Sequence, residues 1–423
     1  MLIYPLHLFI NNAIFMSYYV LPKSSAFTYR YLTCVETEEI PTPIISNSLS
    51  VYLYEIKEKL EKREKDWDIF KKYTNPYEYI HTVVPYKKKC ISKYKPLSRS
   101  YFKMIEIVNI FNLKFDNKPI RTFHLAEGPG GFIEAIAKLR NNTQDKYVGM
   151  TILDDSEDTN IPAWKKSESF LRQNKNVYIE KGIDGTGNIL SLQNFMHCKD
   201  MYGGSMDLIT ADGGFDFSID FNKQEINIAK LLFAQICYAI IMQKKNGSYV
   251  LKIFDCFMNH SIDVLYILSS FYDRVSIIKP NTSRFANSEK YIVCKGFLYS
   301  SSELYYPFLY RAFEIMVASP NTSNELFIHR FLNITVPYYF LSRLEEYNAI
   351  FGQQQIENIH YTISLIENKH KQEKIDSLIK INIQKCIQWC TKYNVEYHVN
   401  PQTTNIFSSV HTSLGDASPK TYV

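Results

Sequence analysis

The sequence predicts an α/β fold, a mostly parallel sheet with helices on both faces, followed by a helical C-terminal region. Three observations predict it. Residues 122–136, TFHLAEGPGGFIEAI, read as a buried strand, a glycine-rich turn and the start of a helix. Apolar strands and helices then alternate up to residue 297, the pattern of a parallel sheet with crossover helices. Beyond about residue 300 the strand pattern gives way to helical periodicity.

The first unit carries the ligand signal. Thr122 to Ala126 is the strand, Glu127 to Gly131 the turn, and Phe132, Ile136 and Leu139 recur at helical spacing. In such sheets a ligand sits at the carboxyl end of the strand. Gly128, Gly130 and Gly131 allow positive φ and close approach of backbone to a ligand. The turn is not GxxxxGK[ST], because no Lys-Ser or Lys-Thr follows, and it is not a clean GxGxxG. Taken alone, it also reads as a tight strand-to-helix connection.

Bulk properties narrow the field. A chain of 423 residues, 46 % hydrophobic, holds one large domain and an accessory one. A net charge of +5 permits an anionic partner without requiring one. The eight cysteines (34, 90, 198, 237, 256, 294, 386, 390) form no CxxC pair, which fits a reduced, intracellular protein without structural zinc. Residues 1–22 are largely apolar and carry no Lys, Arg, Asp or Glu. Pro5, His7, Asn11 and Asn12 interrupt them, so a buried or loosely attached arm is favoured over a membrane anchor.

In chain order, residues 36–50 are rich in Pro, Ser and Thr and read as a linker. Residues 51–74 form a charged amphipathic helix with Leu53, Ile56, Leu60, Trp67 and Phe70 near one face. Residues 87–95, KKKCISKYK, flanked by Tyr86, are either a solvated loop or a phosphate-contacting surface with aromatic platforms. Residues 98–111 read as a helix with Ser98 as N-cap. Strands follow at 147–153, 176–189 (running into a Gly-rich loop), 206–218, 247–254, 274–280 and 290–297, with a long apolar helix at 226–245. Ile375, Leu378, Ile379, Cys386, Trp389 and Cys390 fall on one helical stripe, and the Thr/Ser-rich last twenty residues read as loosely ordered.

Asp212 and Lys252 lie near the carboxyl ends of apolar strands, where a lone charge is costly unless paired or functional. A structural ion pair and a reactive site both remain open for them. Glu289 lies in a third turn, just before the last strand, and Lys103 lies among apolar helix positions.

At these residues the sequence resembles the FtsJ-like ribose 2′-O-methyltransferases, and more narrowly the mRNA cap-1 methyltransferases of eukaryotes and large DNA viruses. The matching stretches are NPYE (75–78), Lys103 in SRSYFK, AEGPGGF (126–132), GMT (149–151), DGTGNI (184–189), ADGGF (211–215), Asn222 with Gln224 and Glu225, Lys252 in LKIFDCF, and KPNTSRFANSEKYIVCKG (279–296). The resemblance implies a Rossmann-like, S-adenosylmethionine-dependent methyltransferase domain over 51–300. An N-terminal arm and linker (1–50) would precede it, and a helical region (301–423) would follow.

It further implies a catalytic tetrad of Lys103, Asp212, Lys252 and Glu289. Gly128, Pro129, Gly130, Gly131 and Phe132 would hold S-adenosylmethionine, with Asn188 and Ile189 near the adenine, Ser98 near the methionine end, and Asp212 beside it. Lys71, Asn222 and Asn287 match positions that contact capped RNA. Asn188 stands where related loops commonly carry an acidic residue, and Glu127 where cap enzymes commonly have a small one. The expected partners are capped mRNA and other capping or transcription proteins. The expected location is the nucleus, the cytoplasm or, for a virus, the viral factory or virion.

The chemistry suits these residues. A lysine acts as a base towards a ribose hydroxyl only if its pKa is lowered by burial or a neighbouring cation. Lys252 is the expected base, with Lys103 as the cation and the two carboxylates holding the ammonium groups. No metal is required. An rRNA or tRNA 2′-O-methyltransferase and a non-catalytic RNA-binding subunit remain as alternatives. The NPYE arm and the 279–296 stretch favour mRNA caps over the first, and the intact tetrad argues against the second.

Overall fold

A computed structural model describes residues 18–24, 27–61, 63–113, 115–116, 118–153, 163–214, 221–318 and 325–398. Most of the expected arm, the part of the 206–218 stretch beyond Gly214, and the tail after residue 398 lie outside the described residues. The chain divides into two compact units, residues 1–74 with 96–368, and residues 75–95 with 369–423. These do not follow the expected boundaries after residues 50 and 300.

The larger unit opens with β1 (Tyr19–Val20), β2 (Leu32–Thr37), α1 (Asn47–Glu61) and α2 (Glu64–Thr74). The helix expected over 51–74 is therefore two helices, with Arg63 bonding back to Leu60 at the break. Next come α3 (Ser100–Ile110), β3 (Arg121–Leu125), α4 (Gly131–Arg140), β4 (Lys146–Met150), α5 (Glu168–Gln173), β5 (Val177–Ile179), α6 (Leu192–Tyr202) and β6 (Met206–Ala211). Then follow α7 (Gln224–Asn227), α8 (Ala229–Met242), β7 (Gln243–Ile253), α9 (Asn259–Phe271), β8 (Tyr272–Ile278) and β9 (Lys290–Phe297). The unit ends with α10 (Tyr306–Val317), β10 (Phe327–Leu332) and α11 (Tyr338–Glu367).

Eight strands form one sheet in the order β1-β8-β9-β7-β6-β3-β4-β5. Strands β7, β6, β3, β4 and β5 run parallel, and β9, β8 and β1 add antiparallel pairs at one side. From β3 the chain winds outward through β4 to β5, then returns across β3 to β6 and β7. With right-handed crossovers, that reversal puts α4 on one face and α6 and α8 on the other. It also opens a crevice between the carboxyl ends of β3 and β6. Helix α8 is buried along nearly its whole length, which explains its almost unbroken apolar sequence.

The region after residue 300 is not purely helical. Phe327–Leu332 pairs antiparallel with β2, so that Leu332 faces Leu32. Buried Asp263 of α9 fixes this ribbon: it accepts the Phe331 and Leu332 amides at 2.9 and 3.1 Å and both arms of the Arg330 guanidinium at 3.1 and 2.7 Å. Phe331 and Leu332 thereby enter the same core as β3, α8 and α9.

The smaller unit joins the 75–95 segment to α12 (Gln372–Lys392). Ser92 bridges Tyr397, and Asn382 Nδ2 donates to the Asn75 carbonyl at 3.4 Å. Ile375, Ile379, Ile383, Cys386, Trp389 and Cys390 are buried on one face of the helix. Leu378, expected on that stripe, is half-buried at its edge.

Candidate active site

A cavity of about 550 Å³ lies where β3, β4, β6 and β7 end. Ala126 and Gly128 follow β3, Thr151 and Ile152 follow β4, Asp212 and Gly214 follow β6, and Lys252 is contributed by β7. Ser98, Arg99, Ser100 and Lys103 close one side from the start of α3, and Gly187 to Leu190 close another. Glu289, one residue before β9, completes the charged wall.

Register explains how the charges meet. Lys252 pairs directly with Tyr291, so their side chains share a face. Glu289, two residues before Tyr291, falls on the same face. Lys103 Nζ lies 2.6 Å from Glu289 Oε1 and donates to the Tyr291 hydroxyl at 3.3 Å. That hydroxyl donates to Asp212 Oδ1 at 3.0 Å. Lys252 Nζ donates to the Asp212 carbonyl at 2.6 Å and lies 3.3 Å from Asp212 Oδ1. The four expected tetrad residues are thus linked in one network, with Tyr291 as its hub.

Burial lowers the Lys103 ammonium below the ordinary lysine range, against the pull of Glu289. Burial would raise the Glu289 carboxyl, but the Lys103 and Lys252 ammoniums outweigh it and hold it well below the usual carboxylate range. Burial and Asp212 push the Tyr291 hydroxyl well above its ordinary value, so it remains a neutral donor. Tyr291 was missed in the sequence because a tyrosine in an apolar strand looks like packing. Its signal was its position two residues after Glu289.

The glycine turn shapes this cavity chiefly from behind. Among its residues, Gly128 lines the wall, and a Cβ there would strike the Ala163 carbonyl. Gly130 holds a φ of +99° at the start of α4, and a Cβ at Gly131 would strike the Ser98 and Ser100 hydroxyls. Phe132 is fully buried against Tyr291, with ring centroids 5.7 Å apart. Glu127 turns inward rather than into the cavity. It accepts the Ile133 amide at 3.0 Å and the Thr210 hydroxyl at 3.2 Å, and lies 3.1 Å from His124 Nδ1. Burial raises its carboxyl pKa.

Ser98 is not the N-cap of α3. That helix begins at Ser100, with Arg99 before it and no side-chain cap, and the Ser98 hydroxyl bonds to that of Ser100 at 2.5 Å. This leaves Ser98 on the cavity wall. Asn188 and Ile189 also line it, and Asn188 Oδ1 accepts the Leu190 amide at 2.9 Å.

A second cavity of about 240 Å³ shares Glu289 with the first. Lys71 and Asn287 line it beside Trp67 and Arg284. Lys71 pairs with Asp68. Asn222 lies on the 3-10 turn Phe221–Lys223, just before Gln224, which also lines this cavity. Lys279 clamps the loop between: its Nζ donates to Asn287 O at 2.7 Å, Asn287 Oδ1 at 2.9 Å and Glu289 O at 2.8 Å. Trp67 looked in the sequence like one more apolar face residue, and Lys279 like the end of a strand.

The fold and this charged cavity at its switch point define a Rossmann-like α/β domain with a ligand crevice. Residues 96–297 match the model of the FtsJ-like methyltransferase family. It is 28 % identical over 373 residues to the cap-specific mRNA (nucleoside-2′-O-)-methyltransferase 2 of Pongo abelii, covering 84 % of this chain and 46 % of that protein. It is 33 % identical over 242 residues to the cap-specific mRNA (nucleoside-2′-O-)-methyltransferase 1 of Homo sapiens, covering 52 % and 27 %. The chain therefore spans less than half the length of these relatives. Among solved structures, a putative ribosomal RNA methyltransferase of Plasmodium falciparum aligns with a TM-score of 0.33 and 20 % identity, over 48 % of this chain and 98 % of that one.

Proposed function

We propose that this chain transfers a methyl group from S-adenosylmethionine to the ribose 2′-OH of the first transcribed nucleotide of capped mRNA. The observation that carries the reading is the single network in which Lys103, Asp212, Lys252 and Glu289, on the wall of the switch-point cavity of an FtsJ-like domain, are joined from behind by buried Tyr291.

The cavity lining suits the cofactor. Small residues at 126 and 128 let a ligand approach the end of β3, Ile152, Ile189 and Leu190 offer an apolar slot for a purine, and Ser98, Asn188 and Asp212 supply polar contacts. When bound, S-adenosylmethionine supplies a methyl group already activated on a sulfonium. The protein's task is then alignment and exclusion of water. In this reading Lys252 Nζ accepts the 2′-OH proton. Asp212 and Glu289 hold the two ammoniums in place, and Lys103 provides the neighbouring cation. Lys71, Asn222 and Asn287 guide the RNA, the first and last from the second cavity.

The test is methyl transfer from labelled cofactor onto short capped and uncapped RNAs, with the modified nucleotide identified by mass. Label in the ribose of the first nucleotide of the capped RNA is expected. Transfer to uncapped RNA alone would replace this reading with a different RNA substrate, and cofactor binding without transfer would leave a binding subunit.

A further inference from the structure

We infer that the smaller unit, residues 75–95 with 369–398, is a sequence-independent binding surface for the phosphate backbone of single-stranded RNA. The inference rests on the RNA reading above, and deepens it by naming where the polymer is held outside the FtsJ-like domain.

Charge is the first observation. The two segments carry eleven lysines and no arginine against four carboxylates, Glu78, Glu373, Asp376 and Glu396. Their net charge is +7, more than the +5 of the whole chain, so everything else sums to −2. Neither segment stands out so clearly alone. The fold brings them together, with Ser92 bridging Tyr397, the Lys93 amide bonded to Glu396 O at 2.9 Å, and the His398 amide to Ile91 O at 2.9 Å.

The second observation is how the charge is laid out. Lys87, Lys88, Lys89, Lys93 and Lys95 are all exposed. On α12, Lys374, Lys385 and Lys392 recur at spacings that return to within about 20° of one helix face. The stripe they form is about 27 Å long at the helical rise per residue. Asp376 projects from the opposite side of the helix, and Glu373 lies about 100° round from the stripe. The stripe flanks the buried face of the helix.

The third observation is an aromatic platform where the two segments meet. Tyr86 is 86 % exposed, and its hydroxyl accepts from Gln372 Nε2 at 3.2 Å, next to Lys371. A spread of lysines with an exposed ring suits a flexible polyanion whose bases can stack, and carries no base-reading pattern. An anionic membrane would call for exposed apolar side chains among the lysines. Beside Tyr86, Val83 and Ile381 are the strongly exposed large apolar side chains among the described residues of the unit, one in each segment.

The experiment is fluorescence anisotropy of the full chain with a labelled 20-nucleotide unstructured RNA, titrated over a range of salt without cofactor. Lys87→Ala/Lys88→Ala/Lys89→Ala and, separately, Lys374→Ala/Lys385→Ala/Lys392→Ala should each weaken binding and flatten the dependence of log K on log salt. Each lysine that meets a phosphate contributes about 0.7 to that slope. Arginine at the same positions should restore the slope, which separates charge from folding. Lys380→Ala, away from the stripe, should leave it unchanged. Unaltered slopes in both triple variants would overturn the inference. So would equal lysine-dependent binding to anionic lipid vesicles with none to RNA. Since no methyl transfer is measured, the inference can fail while the enzymatic reading stands, and the reverse.

Discussion

Two lysine–carboxylate clusters occupy alternate positions along the same strand ends, and they differ in what surrounds them. Lys252 and Glu289 fall on one face, with Lys103 and Asp212, and all four line the switch-point cavity. Asp255 and Lys290 fall on the other. There Asp255 takes Lys57 of α1 at 3.0 Å and Lys290 at 3.1 Å, and each of the three side chains is only 6 % exposed. Burial would raise the Asp255 carboxyl, but the two ammoniums outweigh it and hold it at about 2. Lys252 and Asp212 each keep 13 % exposure. The same residue types thus make two ion clusters, one tightly closed around Asp255, with only Lys57 reaching the second cavity, and one whose four charged groups all line the switch-point cavity. A buried charge alone does not mark chemistry. Access of both ammoniums and both carboxylates to the switch-point cavity makes the difference.

The largest effect should come from breaking the enclosed cluster. Asp255→Ala leaves two ammoniums buried without their carboxylate, and should cost about 3–5 kcal/mol of stability. Urea unfolding checks it, and an unchanged midpoint would remove the structural role of Asp255. The open cluster should respond in the opposite currency. Lys252→Ala should lower single-turnover methyl transfer by about 10²-fold or more while cofactor binding persists, with a smaller change in the unfolding midpoint than Asp255→Ala. Lys252→Arg should fail nearly as badly, since guanidinium keeps its charge. A near-wild-type Arg enzyme would make Lys252 an ion-pair partner like Lys57.

Acid should sharpen the contrast further. A carboxyl held below its unfolded value near about 3.9 stabilises the fold above that pH, and loses the contribution as pH falls towards its folded value. For Asp255 that window runs from about pH 4 down to about 2. Thermal unfolding should fall across it in the wild type and less steeply in Asp255→Asn. Equal slopes would place the acid sensitivity elsewhere, Glu289 being depressed in the same direction.

The smallest effect should be that of Lys279→Met, which removes the three-point clamp on the loop carrying Asn287 and Glu289. KM for RNA should rise by about tenfold or less, with cofactor affinity unchanged. An effect on kcat alone would assign the clamp to Glu289 rather than to Asn287.

Much of this was legible along the chain because it depends on neighbours in sequence. Strand β9 spans the expected 290–297, since its run of apolar residues between polar turns has one reading as a strand. Asp212, Lys252 and Glu289 stood out because a charge at the end of a buried strand demands a reason. The break between α1 and α2 was less visible, because the apolar spacing continues across it and only tertiary packing chooses where the helix ends.

The sequence by itself determined the parallel core, the glycine turn and the residue types of the candidate site, through periodicity, the backbone freedom of glycine and the cost of burying charge. Tertiary structure alone decided which lysine meets which carboxylate, because strand register sends Lys252 and Lys290 to opposite faces. It alone made Tyr291 the hub, paired Leu32 with Leu332, and joined the 75–95 segment to α12 as one basic unit. Each of these is a contact between residues distant in the chain. Their free energy comes from burial and pairing across the fold, and no local pattern encodes it.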